Sequence, residues 1–200
     1  MHLRAPAIVC SSRPHGETGA VARLLSAEQG MIAAYVPGAR GRQLRPLLIP
    51  GNVVEAEFRL RSEAQMPSAR LELLVSRGPW LGEPLAAAAI GWASALAAAA
   101  LPERHPYPAI HAALGGLLDA VCHAPSARGW LPGLLRYEAL VLRELGYGTL
   151  AAPEGEADAA GHFAQLDRQG EVLERYVLAE RRGDVMGARA LLRERLARMI

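Results

Sequence analysis

The residues best suited to chemistry are Arg40, Arg42 and Arg45, set in Val36-Pro37-Gly38-Ala39-Arg40-Gly41-Arg42-Gln43-Leu44-Arg45-Pro46 with no carboxylate among them. Guanidinium groups are planar, permanently charged forks of N–H donors, and a cluster unopposed by acids suits phosphate oxygens. Two glycines and two prolines forbid a continuing helix, so the stretch reads as a loop. The strand-like run Gly30-Met31-Ile32-Ala33-Ala34-Tyr35-Val36 directly precedes it. The plainer reading is a solvated loop in an arginine-rich chain, since all 22 basic residues are Arg.

Other chemistries find little support. No Ser-His-Asp order, HExxH helix or Walker-type phosphate loop is present, and no cofactor motif appears. His111, Asp119 and His123 share one predicted helix, but three ligands on one helix surround an ion poorly, so capping or burial is the expected role. Cys10 and Cys122 are the only cysteines and have no CxxC spacing, which argues against a disulfide framework and for a reducing cytoplasm. Gly38-Ala39-Arg40-Gly41 fits the GxxG loop of KH domains, but that loop joins two helices, whereas a strand precedes this one. No signal-type apolar core follows the N-terminus. The uncharged run Pro84 to Leu101 is mostly Ala, which contributes little transfer energy, so it reads as a closely packed bundle helix rather than a membrane span.

The elements that must position the arginines fall into two parts. Up to residue 80 the chain reads as short strands: 7–12, 19–26, 30–36, 53–61 and 69–77, with the turn Ala27-Glu28-Gln29-Gly30 making a hairpin of the second and third plausible. Five strands at such spacing fit a small closed barrel of the OB type. Beyond Gly78-Pro79 helix formers take over, with helices expected at about 84–101, 107–123, 129–146, 163–182 and 184–199 and a mobile linker at 150–162. The expected class is α+β: an OB-fold β-barrel domain over 1–80, then an all-α domain over 81–200. Charge divides similarly, with ten arginines against six carboxylates up to residue 80, and twelve against fourteen after it. Within the strands, Arg59, Arg61 and Arg77 read as ordinary surface charges, and Tyr35 and Phe58 as barrel core rather than base-stacking groups.

Three spaced elements resemble the opening of the RecO family of bacterial DNA repair proteins: Ser12-Arg13-Pro14-His15-Gly16-Glu17-Thr18, then Leu24 to Gly30, then Gly38-Ala39-Arg40. Leu47 to Asn52 is similar to a further segment of that family, and Leu134 to Gly148 resembles its "RFELALL-x-x-LGYG" helix. The likeness covers most of residues 7–148 and is weak beyond. It implies an N-terminal OB-fold and a helical C-terminal domain in a non-enzymatic recombination mediator. Such a protein binds single- and double-stranded DNA and anneals complementary strands. It also contacts the tail of single-stranded DNA-binding protein (SSB), and with RecR loads RecA, which places it in the cytoplasm beside the nucleoid. Two departures stand out. Many relatives carry cysteines after the LGYG element, some completing a four-cysteine zinc site, whereas Thr149-Leu150-Ala151-Ala152-Pro153 has none, so no metal is expected. The family's Lys before Gly-Ala-Arg is Pro37 here, and Arg42 and Arg45 would substitute for it.

On this reading Arg40, Arg42 and Arg45 hold DNA, with Arg13 and His15 next to them. The SSB tail is acidic and ends in an apolar residue with a free carboxylate. It would be received by Arg136 beside Leu135, Leu140 and Val141, against the alternative that Arg136 pairs with Glu138 or a neighbouring helix. Two rival functions remain: an adaptor whose barrel binds only protein, supported by the low net charge of +2 and 5% aromatic content, and an enzyme with a scattered site.

Overall fold

The computed structural model describes residues 2–60, 65–148, 159–179 and 185–198. Five strands form a closed barrel in the order β1-β2-β3-β5-β4: β1 (His2–His15), β2 (Gly19–Ser26), β3 (Gly30–Val36), β4 (Val53–Arg59) and β5 (Ser68–Val75). Every pairing is antiparallel except β3 with β5, which closes the barrel in parallel through the single pair Tyr35–Ser68. The interior is lined largely by small residues, including Ala7, Ala20, Ala22, Ala34, Ala56 and Ala69, with Leu24, Val54 and Phe58 as larger fillers. A five-stranded barrel is narrow, and alanine lets its walls approach. The barrel and the helices that follow make the chain α+β, with an OB-type first part.

The chain forms two compact units. One comprises residues 1–82 together with 101–111, the other 83–100 together with 112–200. In the first, residues 101–105 lie against the far end of β3. Arg104 N donates to Met31 O, and Gly30, in a left-handed conformation at φ +71°, passes so near His105 that a Cβ would fall 2.0 Å from its carbonyl oxygen. Arg23 on β2 completes this clamp with an ion pair to Glu103 at 3.0 Å and a hydrogen bond to Leu101 O.

The second unit contains α1 (Pro84–Ala100), most of α2 (Pro108–His123), α3 (Leu131–Glu144), α4 (Ala159–Val172, continued by a wide turn over Leu173–Val177) and α5 (Val185–Ala197). The alanines of α1 let α5 pack along it, and among the described residues no helix is long and apolar enough to cross a membrane. The expected linker 150–162 lies mostly outside the described residues, and from Ala159 the chain is helical rather than linker. At the centre of the unit Glu138 is fully buried, with Arg189 donating to both its oxygens at 3.0 and 2.8 Å and Trp92 Nε1 donating at 2.7 Å. Arg189 also donates to Leu166 O, and Tyr137 Oη donates to Ala93 O. The charge is therefore tied to α1, α3, α4 and α5 together.

Two outcomes follow. Truncating one partner of a buried, hydrogen-bonded ion pair leaves the other charge uncompensated, so Glu138→Ala should lower unfolding free energy by about 3–5 kcal/mol. Glu138→Leu combined with Arg189→Met should lose markedly less, as read by urea denaturation. Cys10 is also fully buried, and burial pushes its thiol up to about 12 from an ordinary value of 9.0. Above pH 9 the unfolded thiol loses its proton while the folded one keeps it, so ionisation favours unfolding. The stability of wild type relative to Cys10→Ala should fall by about 1.4 kcal/mol per pH unit from about pH 9 upwards.

Candidate nucleic-acid interface

The site begins with a bulge in β1. Ala7 and Val9 point into the barrel, but the β1–β2 register shifts between Val9 and Ser11. One extra residue reverses which face later side chains take. Ser12 and Pro14 then pair with the inward residues Ala22 and Ala20, while Arg13 and His15 pair with Val21 and Gly19 and face outward. Val21 in turn pairs with Tyr35 on β3, so Arg13, Val21 and Tyr35 form one cross-strand row on the outside of β1-β2-β3.

Tyr35 is thus not barrel core, as its type suggested. Inward positions on β3 are Ile32, Ala34 and Val36, and Tyr35 alternates with them. Its ring lies half-buried across Gly19, where an added Cβ would come within 2.5 Å of two ring carbons and the hydroxyl oxygen, and His15 meets it edge-on at 6.0 Å between centroids. Phe58 is in the core, as its type suggested.

The arginine segment is anchored at both ends. Ala39 and Leu48 are buried in the barrel core, Leu44 and Leu47 pack against it, and the arginines between them stay exposed. At its start Arg40 N donates to Thr18 O at 3.0 Å and Arg40 Nη1 to Glu17 O at 3.0 Å, clasping the segment to the β1–β2 turn. Its end is not plain loop: Arg45–Leu48 is a short 3-10 turn entered through Pro46. Buried Asn52 fixes that turn, donating to Pro46 O and Leu47 O while its Oδ1 accepts from Arg77 N at 2.7 Å.

The structure accordingly brings Arg40 to the hairpin that carries Arg13 and His15, and all three are exposed. Arg42 and Arg45 are exposed farther along the same arch, and neither has an ion-pair partner among the described residues. At the other end of this outer face Arg23 is engaged by Glu103. Aromatic rings and unpaired guanidiniums side by side can stack on bases and neutralise phosphates. Arg59 is held by Glu57 at 2.8 Å, Arg77 is buried, and Arg61 lies outside the described residues. The role of Asn52 escaped sequence reasoning because a buried amide looks like any surface one; its only signal is its place between Gly51 and a β-branched run.

In the helical unit Arg136 is exposed on α3, but Leu135 and Val141 are fully buried and line no surface pocket. The reason is that α3 is enclosed on most sides, with eight of its fourteen residues buried. Leu140, one turn on, is the apolar residue that shares the face of Arg136. Nor does Arg136 pair with Glu138, which Arg189 and Trp92 occupy. Among the histidines, His123 Nδ1 lies 2.8 Å from Asp119 O, within the last turn of α2.

Comparison with known sequences agrees with these features. The model described as "Recombination protein O N terminal" matches residues 1–75, and "Recombination protein O C terminal" matches 81–198. The chain is 41% identical over 150 residues to "DNA repair protein RecO" of Phenylobacterium zucineum, covering 74% of this chain and 60% of that protein. It is 43% identical over 150 residues to the protein of the same name from Caulobacter vibrioides, with the same coverage, 74% and 60%. To that of Rhodospirillum centenum it is 41% identical over 143 residues, covering 71% of this chain and 56% of the relative. The chain thus spans somewhat under two thirds of the length of these relatives. With both halves matched in order on a barrel-then-helices architecture, the chain belongs to the RecO family.

Proposed function

We propose that this chain is a DNA repair and recombination mediator that holds DNA strands on the hairpin end of its barrel and docks protein partners through its helical unit. The observation that carries the reading is the clasp of Arg40 onto the β1–β2 turn, which gathers Arg40, Arg13, His15 and Tyr35 beside the exposed Arg42 and Arg45. Phosphates would meet the guanidiniums, and Tyr35 would stack on an unpaired base. Neutralising the backbones of two strands lowers their mutual repulsion, which is the physical requirement for annealing complementary strands. Family membership supports the wider role: acting with RecR to load RecA onto DNA coated with SSB. The acidic SSB tail would meet Arg136, with Leu140 as its nearest apolar contact.

Fluorescence anisotropy of a labelled single-stranded oligonucleotide across a salt series tests the DNA site. Wild type should bind with an affinity that falls steeply with salt, and Arg40/Arg42/Arg45→Ala should reduce the slope of log K against log salt by about two. Tyr35→Ala should leave the slope unchanged and cost about 1–3 kcal/mol of single-strand affinity. Absence of wild-type binding at low salt would favour the protein-only adaptor. For the helical unit, Arg136→Ala should weaken binding of an SSB-tail peptide about ten-fold while oligonucleotide binding stays as in wild type. An unchanged peptide affinity would remove Arg136 from that role.

A further inference from the structure

β5 is paired with β4 along one edge, and along the other its backbone is largely unpaired among the described residues, although the turn Arg45–Leu48 lies near the strand. Toward β4 it is paired from Ser68 to Val75, but toward β3 it makes only the Tyr35–Ser68 pair. Tyr35 N donates to Pro67 O, which sets the parity as far as Leu73, before the irregularity at Leu74: odd-numbered residues direct their backbone N–H and C=O toward β3 and even-numbered ones toward β4. Beyond Ala69 the strand β3 has ended and Pro37 turns the chain away. The groups of Leu71 and Leu73 on that side make no backbone hydrogen bond among the described residues.

An open cleft of about 400 Å3 runs along this edge. Val36, Pro37 and Leu44 form one bank, Ala69 and Leu71 the other, and the rim carries Arg4, Arg70, Glu55, Glu57 and Glu72. The strand continues past the cleft with three consecutive exposed apolar residues, Leu73 (42%), Leu74 (51%) and Val75 (41%). An unpaired strand edge beside apolar side chains is a ready template for pairing with another strand. Three carboxylates on the rim disfavour a nucleic-acid backbone. Arg4 already bridges Glu55 and Glu72, and Arg59 engages Glu57, which leaves Arg70 as the rim cation with no ion-pair partner among the described residues.

We propose that the free edge of β5 is a strand-addition site that captures an extended segment of a protein partner, one with apolar side chains at alternate positions and a carboxylate opposite Arg70. This goes beyond the DNA-binding reading and does not depend on it, since none of the proposed DNA contacts lies on β5.

The test uses the full chain. Amide hydrogen exchange of the free protein should show Leu71 and Leu73 exchanging quickly while Arg70 and Glu72 are protected. Protection of Leu71 and Leu73 in dilute protein would mean that the edge is already covered, and would overturn the proposal. Protection appearing only at high protein concentration, with dimers in sedimentation, would overturn it in favour of a second copy. Dodecapeptides selected from a displayed random library and then synthesised serve as probes. They should slow exchange at Leu71 and Leu73 and bind Arg70→Glu and Leu73→Pro about ten-fold more weakly than wild type. Because Leu73→Pro could disturb folding, the same peptides N-methylated at alternate backbone positions supply the second arm. They should lose affinity for the wild-type chain by about ten-fold, having lost strand pairing but not side chains. Selected peptides that bind equally well after N-methylation, or that leave these amides unprotected, would overturn the proposal.

Discussion

The barrel closes on a single pair of residues. Tyr35 N reaches Pro67 O at 2.8 Å, and one residue later β3 ends at Val36 and Pro37. Had the two strands run on together, the arch carrying Arg40, Arg42 and Arg45 would have no room to leave the barrel beside the hairpin. The same early ending leaves Tyr35 at the last outward position of β3, next to His15. It also opens the seam along β5. One short parallel contact thus shapes both the arginine arch and the unpaired edge of β5.

How much of this the sequence shows depends on which physical rule governs each residue. Alternation, turn residues and the Gly/Pro-framed arginine segment are local properties, and they point to five strands and a barrel followed by helices. Parity is local only while the register is regular. The bulge at Cys10 adds one residue and turns Arg13 and His15 from the inside to the outside, which no alternation rule would report. Tyr35 misleads for a related reason: an aromatic in a chain poor in aromatics looks like core, yet the smaller alanines fill this barrel. On α3 the apolar residues of one helix cannot reveal how many neighbours surround it. Leu135 and Val141 therefore look available beside Arg136 until the enclosing helices are placed.

The two units handle charge in opposite ways. Around the barrel the arginines at the hairpin end are exposed and have no acidic partner among the described residues, so their fields remain available to an approaching anion. In the helical unit Glu138 and Arg189 spend their charges on each other within the core. Such a pair contributes little net stability compared with an apolar packing of the same shape, but it tolerates few alternatives in how its helices align. Gly170 illustrates this: the Arg189 guanidinium lies where its Cβ would be, 2.2 Å from the nearest nitrogen.

The clamp of residues 101–105 on Met31 and Arg23 lies downstream of α1 in the chain, although it completes the first unit. A ribosome therefore releases all five strands before it releases the segment that covers Met31, which is fully buried in the finished fold. Until about thirty further residues have emerged past β5, Met31 of the nascent barrel lacks that cover. During that interval, holding factors or aggregation compete with completion, and the rate of elongation through the alanine-rich stretch sets how long the exposure lasts.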